Sequence, residues 1–76
     1  MTGAISGMKL KSRYWWDLTT RDFAALDMRR VIALQPVAAV EQHGPHLPLR
    51  VDAAINEGIV AQALTQMPDE LPVLVL

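Results

Sequence analysis

Cysteine is absent from this sequence, and so is any large excess of one charge. The 76 residues include seven Lys or Arg and eight Asp or Glu, for a formal net charge of −1 at pH 7. Without a thiol there is no disulfide, iron–sulfur cluster, cysteine zinc site or cysteine nucleophile, so any metal must be held by His, Asp or Glu. The small net charge argues against binding to nucleic acid through a basic surface.

Long apolar runs are missing as well. No apolar stretch approaches the roughly 18 residues that a membrane span needs. The basic residues near the start run into aromatic residues instead of the apolar core of a signal peptide. We therefore expect a cytoplasmic protein with no membrane and no nucleic-acid partner. The hydrophobic fraction of 51% is too high for a disordered chain.

The charges that are present divide unevenly along the chain. Residues 1–38 hold six Lys or Arg and three Asp, a balance of +3. Residues 39–76 hold one Arg and five Asp or Glu, a balance of −4. The second half is therefore the part suited to binding a cation.

The residue pattern in the first half of the chain predicts a helix and a strand. Residues 1–12 carry little periodic apolar signal, and we expect them to be loosely ordered. Thr20 is a favoured N-cap for a short helix that continues to Met28. Trp15 and Trp16 precede it, as apolar anchors of this helix or as the lining of a pocket or interface. The β-branched run at 31–34 predicts a strand, buried on both faces, that continues past a proline to Val40.

The second half predicts another helix and another strand. Asp52 stands where an N-cap belongs, and Pro68 ends the helix that follows. The apolar positions at helical spacing are Ile55, Ile59, Val60, Ala63, Leu64 and Met67. Residues 73–76 predict a second buried strand. The order strand, helix, strand is a βαβ unit with parallel strands. We expect residues 1–76 to be the N-terminal part of a single larger α/β domain, truncated after its second strand.

The loop from Glu41 to Asp52 contains both histidines of the protein. Glu41 and His43 are two residues apart, so in extended chain they point to the same side. Gly44 permits a turn that a Cβ would forbid, and two prolines stiffen the loop. Asp52 adds an oxygen donor at the helix start, near the carboxyl end of the preceding strand. This mixed oxygen and nitrogen set favours Zn²⁺ or Mn²⁺.

Each of these residues also has a purely structural interpretation. Asp52 is equally suited to capping its helix, and Glu41 to ending a strand in solvent. An unligated histidine is the commoner case in loops. His46 is suited to a hydrogen bond outside a metal site as much as to a role in it.

The loop resembles the metal-binding signature of the creatininase family, the family of creatinine amidohydrolase. The matching string is Glu41-Gln42-His43-Gly44-Pro45-His46-Leu47-Pro48, followed by Leu49-Arg50-Val51-Asp52. Further resemblance to the opening of that family lies in Trp16-Asp17-Leu18-Thr19, in the strand ending at Pro36-Val37, and in Ile59 and Ala61 of the later helix. It covers nearly the whole chain after the first dozen residues.

This resemblance implies a binuclear metal-dependent amidohydrolase with a three-layer α/β/α fold and a mainly parallel sheet. It implies that Glu41 binds one metal ion, that His43 binds the other and that Asp52 bridges both, the ions being Zn²⁺ or Mn²⁺. A metal-activated water would hydrolyse a non-peptide or cyclic amide C–N bond, such as that of the creatinine ring. The substrate would be a small-molecule amide.

Other loop residues have lesser implied roles. Gln42, Gly44 and the two prolines would shape the loop, and His46 receives no role. Arg50 stands where the family commonly has glycine or asparagine, and Ala38-Ala39 follow the Pro-Val pair. A long cation at position 50 would tune or crowd the site, which leaves the substrate open.

Two other interpretations remain open at this point. One is a non-catalytic truncated α/β fragment in which the loop is only a structural turn. The other is a family relative that processes a peptide or formamide substrate in a biosynthetic pathway. Further ligands and proton-transfer residues of the family would lie beyond Leu76, so we expect the isolated chain to be inactive. The resemblance implies that the full-length protein is a homo-oligomer, as members of the family commonly are, and open sheet edges in this chain favour association as well.

Overall fold

The computed structural model describes residues 10–76. Its elements are a 3₁₀ turn at Trp15–Asp17, helix α1 at Thr20–Ala24, strand β1 at Ile32–Leu34, helix α2 at Val51–Gln66 and strand β2 at Val73–Val75. The loose start predicted for residues 1–12 lies mostly outside the described residues. Within residues 10–76, no helix has the length and apolarity to cross a bilayer.

The chain forms two compact units. One comprises the chain up to Gln35 together with Met67–Leu76, and the other is Pro36–Gln66. In the first unit β1 and β2 pair in parallel, with Ile32 opposite Val73 and Leu34 opposite Val75. The order β1, α2, β2 with parallel strands is the predicted βαβ order, so the assignment to the α/β class is confirmed for this part of the fold.

Strand β2 is the buried element of the first unit. Its three residues, Val73 to Val75, are the buried apolar core of the described chain. On one side the Ile32 N–H donates to the Pro72 carbonyl at 2.8 Å, and on the other the Val75 N–H donates to the Arg13 carbonyl at 2.7 Å. A parallel bridge between Tyr14 and Val75 lies on that second side. Partners on both edges explain why the predicted burial of this strand is correct.

Strand β1 differs from its prediction in length and in burial. It ends at Leu34 instead of reaching Val40, and its residues are exposed. Pro36 explains the early end, because a proline has no N–H to donate to a ladder. Within residues 10–76 β1 pairs with β2 alone, so one of its edges has no strand beside it. Both features leave apolar side chains in solvent, among them Ile32 and Val37.

Helix α1 begins one residue earlier than the sequence predicts. Thr19, not Thr20, is the N-cap, and its hydroxyl accepts a hydrogen bond from the Asp22 N–H while the Asp22 carboxylate accepts one from the Thr19 N–H. This reciprocal pair is a capping box. The bond from the Thr19 backbone lowers the pKa of Asp22, and Lys11 beside it acts in the same direction.

The same helix is also shorter than predicted. It ends at Ala24 instead of Met28. Asp27 starts a separate turn there: its carboxylate accepts hydrogen bonds from the Arg29 backbone and guanidinium, and its carbonyl accepts one from the Arg30 N–H. Side chains that bond to nearby backbone compete with helix continuation in this way. The guanidinium bond lowers the pKa of Asp27 and raises that of Arg29.

The two tryptophans separate into different roles. The ring of Trp15 packs against Phe23 of α1, with centroids 4.5 Å apart, so it is the predicted anchor of the helix. Trp16 stacks on Tyr14 with centroids 6.0 Å apart and is 77% exposed. It does not anchor the helix.

Arg13 fastens the N-terminal segment to the chain that leads into β2. Its Nη1 donates to the Leu71 and Val73 carbonyls at 2.6 and 3.2 Å, and its Nη2 donates to the Pro68 carbonyl at 2.7 Å. The planar fork of a guanidinium suits several acceptors at once. Residue types could not predict this contact, because the partners of Arg13 are backbone atoms more than fifty residues away.

Helix α2 is the main element of the second unit. It ends at Gln66, ahead of Pro68 as predicted, but it begins at Val51. The Arg50 carbonyl accepts the first helical hydrogen bond, from Ala54 at 2.8 Å, which places Arg50 and not Asp52 at the N-cap. Asp52 is instead the second helical residue. Ile55 and Ile59, predicted on the apolar face, are more than half exposed.

Candidate metal site

The loop before α2 is closed by its own backbone. The Glu41 N–H donates to the Leu49 carbonyl at 3.1 Å, and the Val51 N–H donates to the Pro48 carbonyl at 3.4 Å. The first of these bonds joins the two ends of the loop, and the second forms the turn that starts the helix. Glu41 is thereby held beside the residues that lead to Asp52.

Gly44 supplies the turn that the sequence predicts for it. Its φ of +78° lies in the left-handed region, and within residues 10–76 it is the one residue with a positive φ. Its N–H donates to the Gln42 side-chain oxygen at 3.0 Å. The ring of His46 lies against its α carbon, since a Cβ built on Gly44 would be 3.6 Å from the His46 Nδ1. The turn reverses the chain directly after His43.

His43 faces an oxygen atom with each ring nitrogen. Nδ1 lies 2.8 Å from the backbone carbonyl of Glu41, and Nε2 lies 3.1 Å from Oδ1 of Asp52. A carbonyl and a carboxylate both only accept hydrogen bonds, whereas a neutral imidazole has a single N–H to donate. With that proton on Nδ1, the lone pair of Nε2 faces the carboxylate. Either a second proton on the ring or a cation between the two groups satisfies this arrangement.

Glu41 completes a group of three possible ligands. One ligand atom each from Glu41, His43 and Asp52 lies within 4.8 Å of the other two. The Glu41 side chain is exposed, and the other two residues are half-buried. Two carboxylates and one imidazole at this separation are a donor set that fits Zn²⁺ or Mn²⁺. The structure therefore brings together the three residues singled out in the sequence, and their binding of metal stays a prediction.

The unit around this group is acidic. Residues 36–66 contain three acids and a single basic residue, Arg50. The Arg50 guanidinium lies 3.9 Å from a carboxylate oxygen of Glu57, which stands about two turns farther along the chain. Both side chains are well exposed, so this pair contributes little to stability. It gives Arg50 a partner outside the three-residue group, at a spacing of seven residues that the pairing rule for helix side chains three or four residues apart does not cover.

Asp52 also gains from its place on the helix. As the second residue of α2 it lies in the first turn, where the unsatisfied N–H groups and the helix dipole favour a negative charge. Its carboxylate reaches His43 rather than a backbone N–H. The ligand interpretation of Asp52 is thus geometrically available, and the N-cap interpretation is wrong.

The three-residue group follows β1 in the chain and ends in the first turn of α2. The comparison with protein families covers this region. The creatininase family model, described as creatinine amidohydrolase, matches residues 16–76, and the chain belongs to the creatininase family. No curated protein and no solved structure matches the chain. Membership indicates an amidohydrolase that acts on amide C–N bonds, in a family that is generally metal-dependent.

Proposed function

We propose that this protein is a metal-dependent amidohydrolase that cleaves a non-peptide or cyclic amide C–N bond. The single observation that carries the proposal is the convergence of Glu41, His43 and Asp52 within 4.8 Å in a chain of the creatininase family. The His43 Nε2 and an Asp52 carboxylate oxygen lie 3.1 Å apart, and with the ring proton on Nδ1 both atoms present lone pairs. A divalent cation is one species that makes such a pairing favourable.

We assign Glu41 to one metal ion, His43 to the other and Asp52 to both. When bound, such ions polarise an amide carbonyl and lower the pKa of coordinated water. Zinc and manganese both fit the donor set. Two carboxylates offset half of the +4 charge of two divalent cations, and the acidic surroundings favour the approach of the cations.

Several contacts within the chain hold the candidate ligands in a defined orientation. The Glu41 carbonyl accepts the Nδ1–H of His43 and so turns Nε2 toward Asp52, which is how a partner on one ring nitrogen fixes the ligand role of the other. The Glu41–Leu49 bond closes the loop. Helix α2 holds Asp52 on a rigid element, which positions a site more accurately than a loop does.

The finer features of the protein follow from the same family likeness. We propose a three-layer α/β/α domain with a mainly parallel sheet, a small-molecule amide as substrate with creatinine as the first candidate, and a cytoplasmic homo-oligomer. The exposed apolar residues of β1 are consistent with further elements or subunits packing there. No nucleic-acid or membrane partner is part of the proposal.

Metal binding is the direct test. The product of the open reading frame that contains the chain is purified without chelators, its zinc and manganese content is determined, and Mn²⁺ binding is measured by calorimetric titration. We expect D52N to abolish most of the binding, because the amide has lost the charge of the bridging carboxylate. Glu57 is the matched control: it is an exposed acid on the same helix, and E57Q is expected to bind like the wild type.

Amide hydrolysis is tested on the product of the open reading frame that contains the chain. Creatinine, a formamide and a peptide amide are offered in parallel, with and without Mn²⁺. Turnover of creatinine that D52N removes and E57Q keeps supports the proposal. Turnover of a peptide or formamide alone places the protein with the biosynthetic relatives. A metal-free protein without amidase activity contradicts the proposal.

A further inference from the structure

Gln42 lies between two of the three candidate ligands, yet it is not one of them. Its Oε1 accepts a hydrogen bond from the Gly44 N–H at 3.0 Å. Within residues 10–76 this is the one hydrogen bond of the Gln42 side chain. The bond joins residues i and i+2, the spacing at which an Asn or Asp side chain closes an Asx-turn.

This hydrogen bond and a second one lie on either side of His43 in the chain. On the N-terminal side, the His43 ring donates to the Glu41 carbonyl at 2.8 Å. On the C-terminal side, Gln42 holds the N–H of Gly44, the residue whose φ of +78° turns the chain. The Glu41–Gln42 and His43–Gly44 peptide groups are therefore each engaged by a side chain of the same short segment.

We propose that Gln42 is a positioning residue for metal binding, which acts through Gly44 to hold His43 in its ligand orientation. The inference rests on the proposed function. An exposed hydrogen bond of this kind adds little to global stability, since Gln42 and Gly44 are both exposed. Its effect is on local order, because a loop that is already held in place loses less freedom when the ligand binds.

The choice of an amide at this position fits that role. Glu41 and Asp52 already bring two negative charges to the group. A neutral acceptor holds Gly44 without adding a third charge beside His43. A methionine of similar length keeps the size of the side chain and removes the acceptor, whereas an asparagine keeps an amide oxygen that reaches the N–H two residues on.

These two substitutions give a matched experiment on the product of the open reading frame that contains the chain. Mn²⁺ affinity is measured by titration for the wild type, Q42M and Q42N, and amide hydrogen exchange at Gly44 is followed by NMR without metal. We expect Q42M to bind Mn²⁺ about tenfold more weakly, the lower end of the loss when a ligand's supporting partner is removed. We expect Gly44 to exchange faster in Q42M. We expect Q42N, made in the wild type, to keep both the Mn²⁺ affinity and the exchange rate of the Gly44 amide close to the wild-type values.

The outcomes separate the inference from the function on which it rests. Wild-type binding that Q42M leaves unchanged overturns the role of Gln42 and leaves the metal site standing. Faster exchange at Gly44 with unchanged affinity also overturns it, because the bond then does not act on His43. Q42A removes the acceptor with a smaller side chain and serves if Q42M does not fold. A wild-type chain that binds no Mn²⁺ overturns the proposed function itself.

Discussion

Nε2 of His43 lies 3.1 Å from Oδ1 of Asp52, while Nδ1 of the same ring lies 2.8 Å from the backbone carbonyl of Glu41. Glu41 thus contributes twice, through its carboxylate to the ligand group and through its carbonyl to the orientation of the histidine. Because one residue supplies both a candidate ligand and the acceptor that orients the histidine, twelve residues are enough to bring the three-residue group together.

The two histidines of the loop are expected to respond differently to substitution. H43A removes a ligand, and we expect Mn²⁺ affinity to fall by more than the roughly tenfold to hundredfold that loss of an outer partner costs. His46 lies outside the ligand group, so H46A is expected to change the affinity less than about threefold, the ordinary scatter of a surface substitution. Calorimetric titration of both variants measures this, and equal losses would contradict the assignment.

The two glycines of the second unit are expected to respond with opposite signs. Gly44 has a φ of +78°, so G44A places a Cβ in the left-handed region at about 1–2 kcal/mol of unfolding free energy. The new Cβ would meet His46 only at ordinary contact distance, so the loss is one of backbone strain. Gly58 lies within α2 with nothing within 4 Å of a built Cβ, and G58A is expected to stabilise by up to about 1 kcal/mol. Urea unfolding of both variants checks the signs.

The capping box of α1 predicts which threonine matters. T19A removes the hydroxyl that accepts the Asp22 N–H, and we expect a loss of about 1 kcal/mol of stability. T20A, one residue along and already helical, is expected to lose no cap. Helicity and unfolding followed by circular dichroism distinguish the two variants. Equal losses of stability in T19A and T20A would contradict the assignment of Thr19 as the N-cap.

The same box predicts the direction of a pH effect. The Thr19 backbone bond holds the pKa of Asp22 below its ordinary value of 3.8. A carboxylate whose pKa is lowered by folding stabilises the folded state above that ordinary value, and its contribution is lost as pH falls through the folded-state pKa. D22N is therefore expected to lower stability at pH 6, and the difference from the wild type is expected to shrink below pH 4. A difference that grows on acidification would contradict this.

Arg13 is expected to contribute more to the free energy of unfolding than an ordinary surface cation does. Its guanidinium donates to carbonyls of Pro68, Leu71 and Val73, and R13M leaves these acceptors without it. We expect a loss of about 1.5–3 kcal/mol, the range for hydrogen bonds to charged groups. R13K is expected to recover only part of this, because an ammonium lacks the planar fork. R21M, at an exposed position of α1, serves as the control in the same unfolding experiment.

The sequence predicted best what depends on local patterns. Alternating β-branched residues marked β2, Pro68 marked the end of α2, and Gly44 marked the left-handed turn. The Glu41, His43 and Asp52 group was readable because its spacing is short and its residue types are those of metal ligands. The N-cap was missed by one residue for α1 and by two for α2, because Thr19 and Thr20 are both favoured N-cap types and Asp52 is a more typical N-cap than Arg50.

What the sequence could not supply were contacts that depend on distant chain. The exposure of β1 follows from which strands lie beside it, and the Arg13 contacts join a side chain to backbone more than fifty residues later. Neither leaves a periodic or compositional trace. The roles of Gln42 and of the Glu41 carbonyl are local, but they depend on backbone torsions that residue types alone do not define.

The position of β2 between β1 and Tyr14 has a consequence for how the chain matures during translation. Ile32 can pair only after Val73 has been synthesised, and Tyr14 only after Val75 has been synthesised. The bonds that shape the Glu41 to Asp52 loop span nine residues or fewer, so loop closure is fast by comparison. The loop that carries the three candidate ligands can thus order on the ribosome before the sheet exists, so its geometry does not depend on strand pairing.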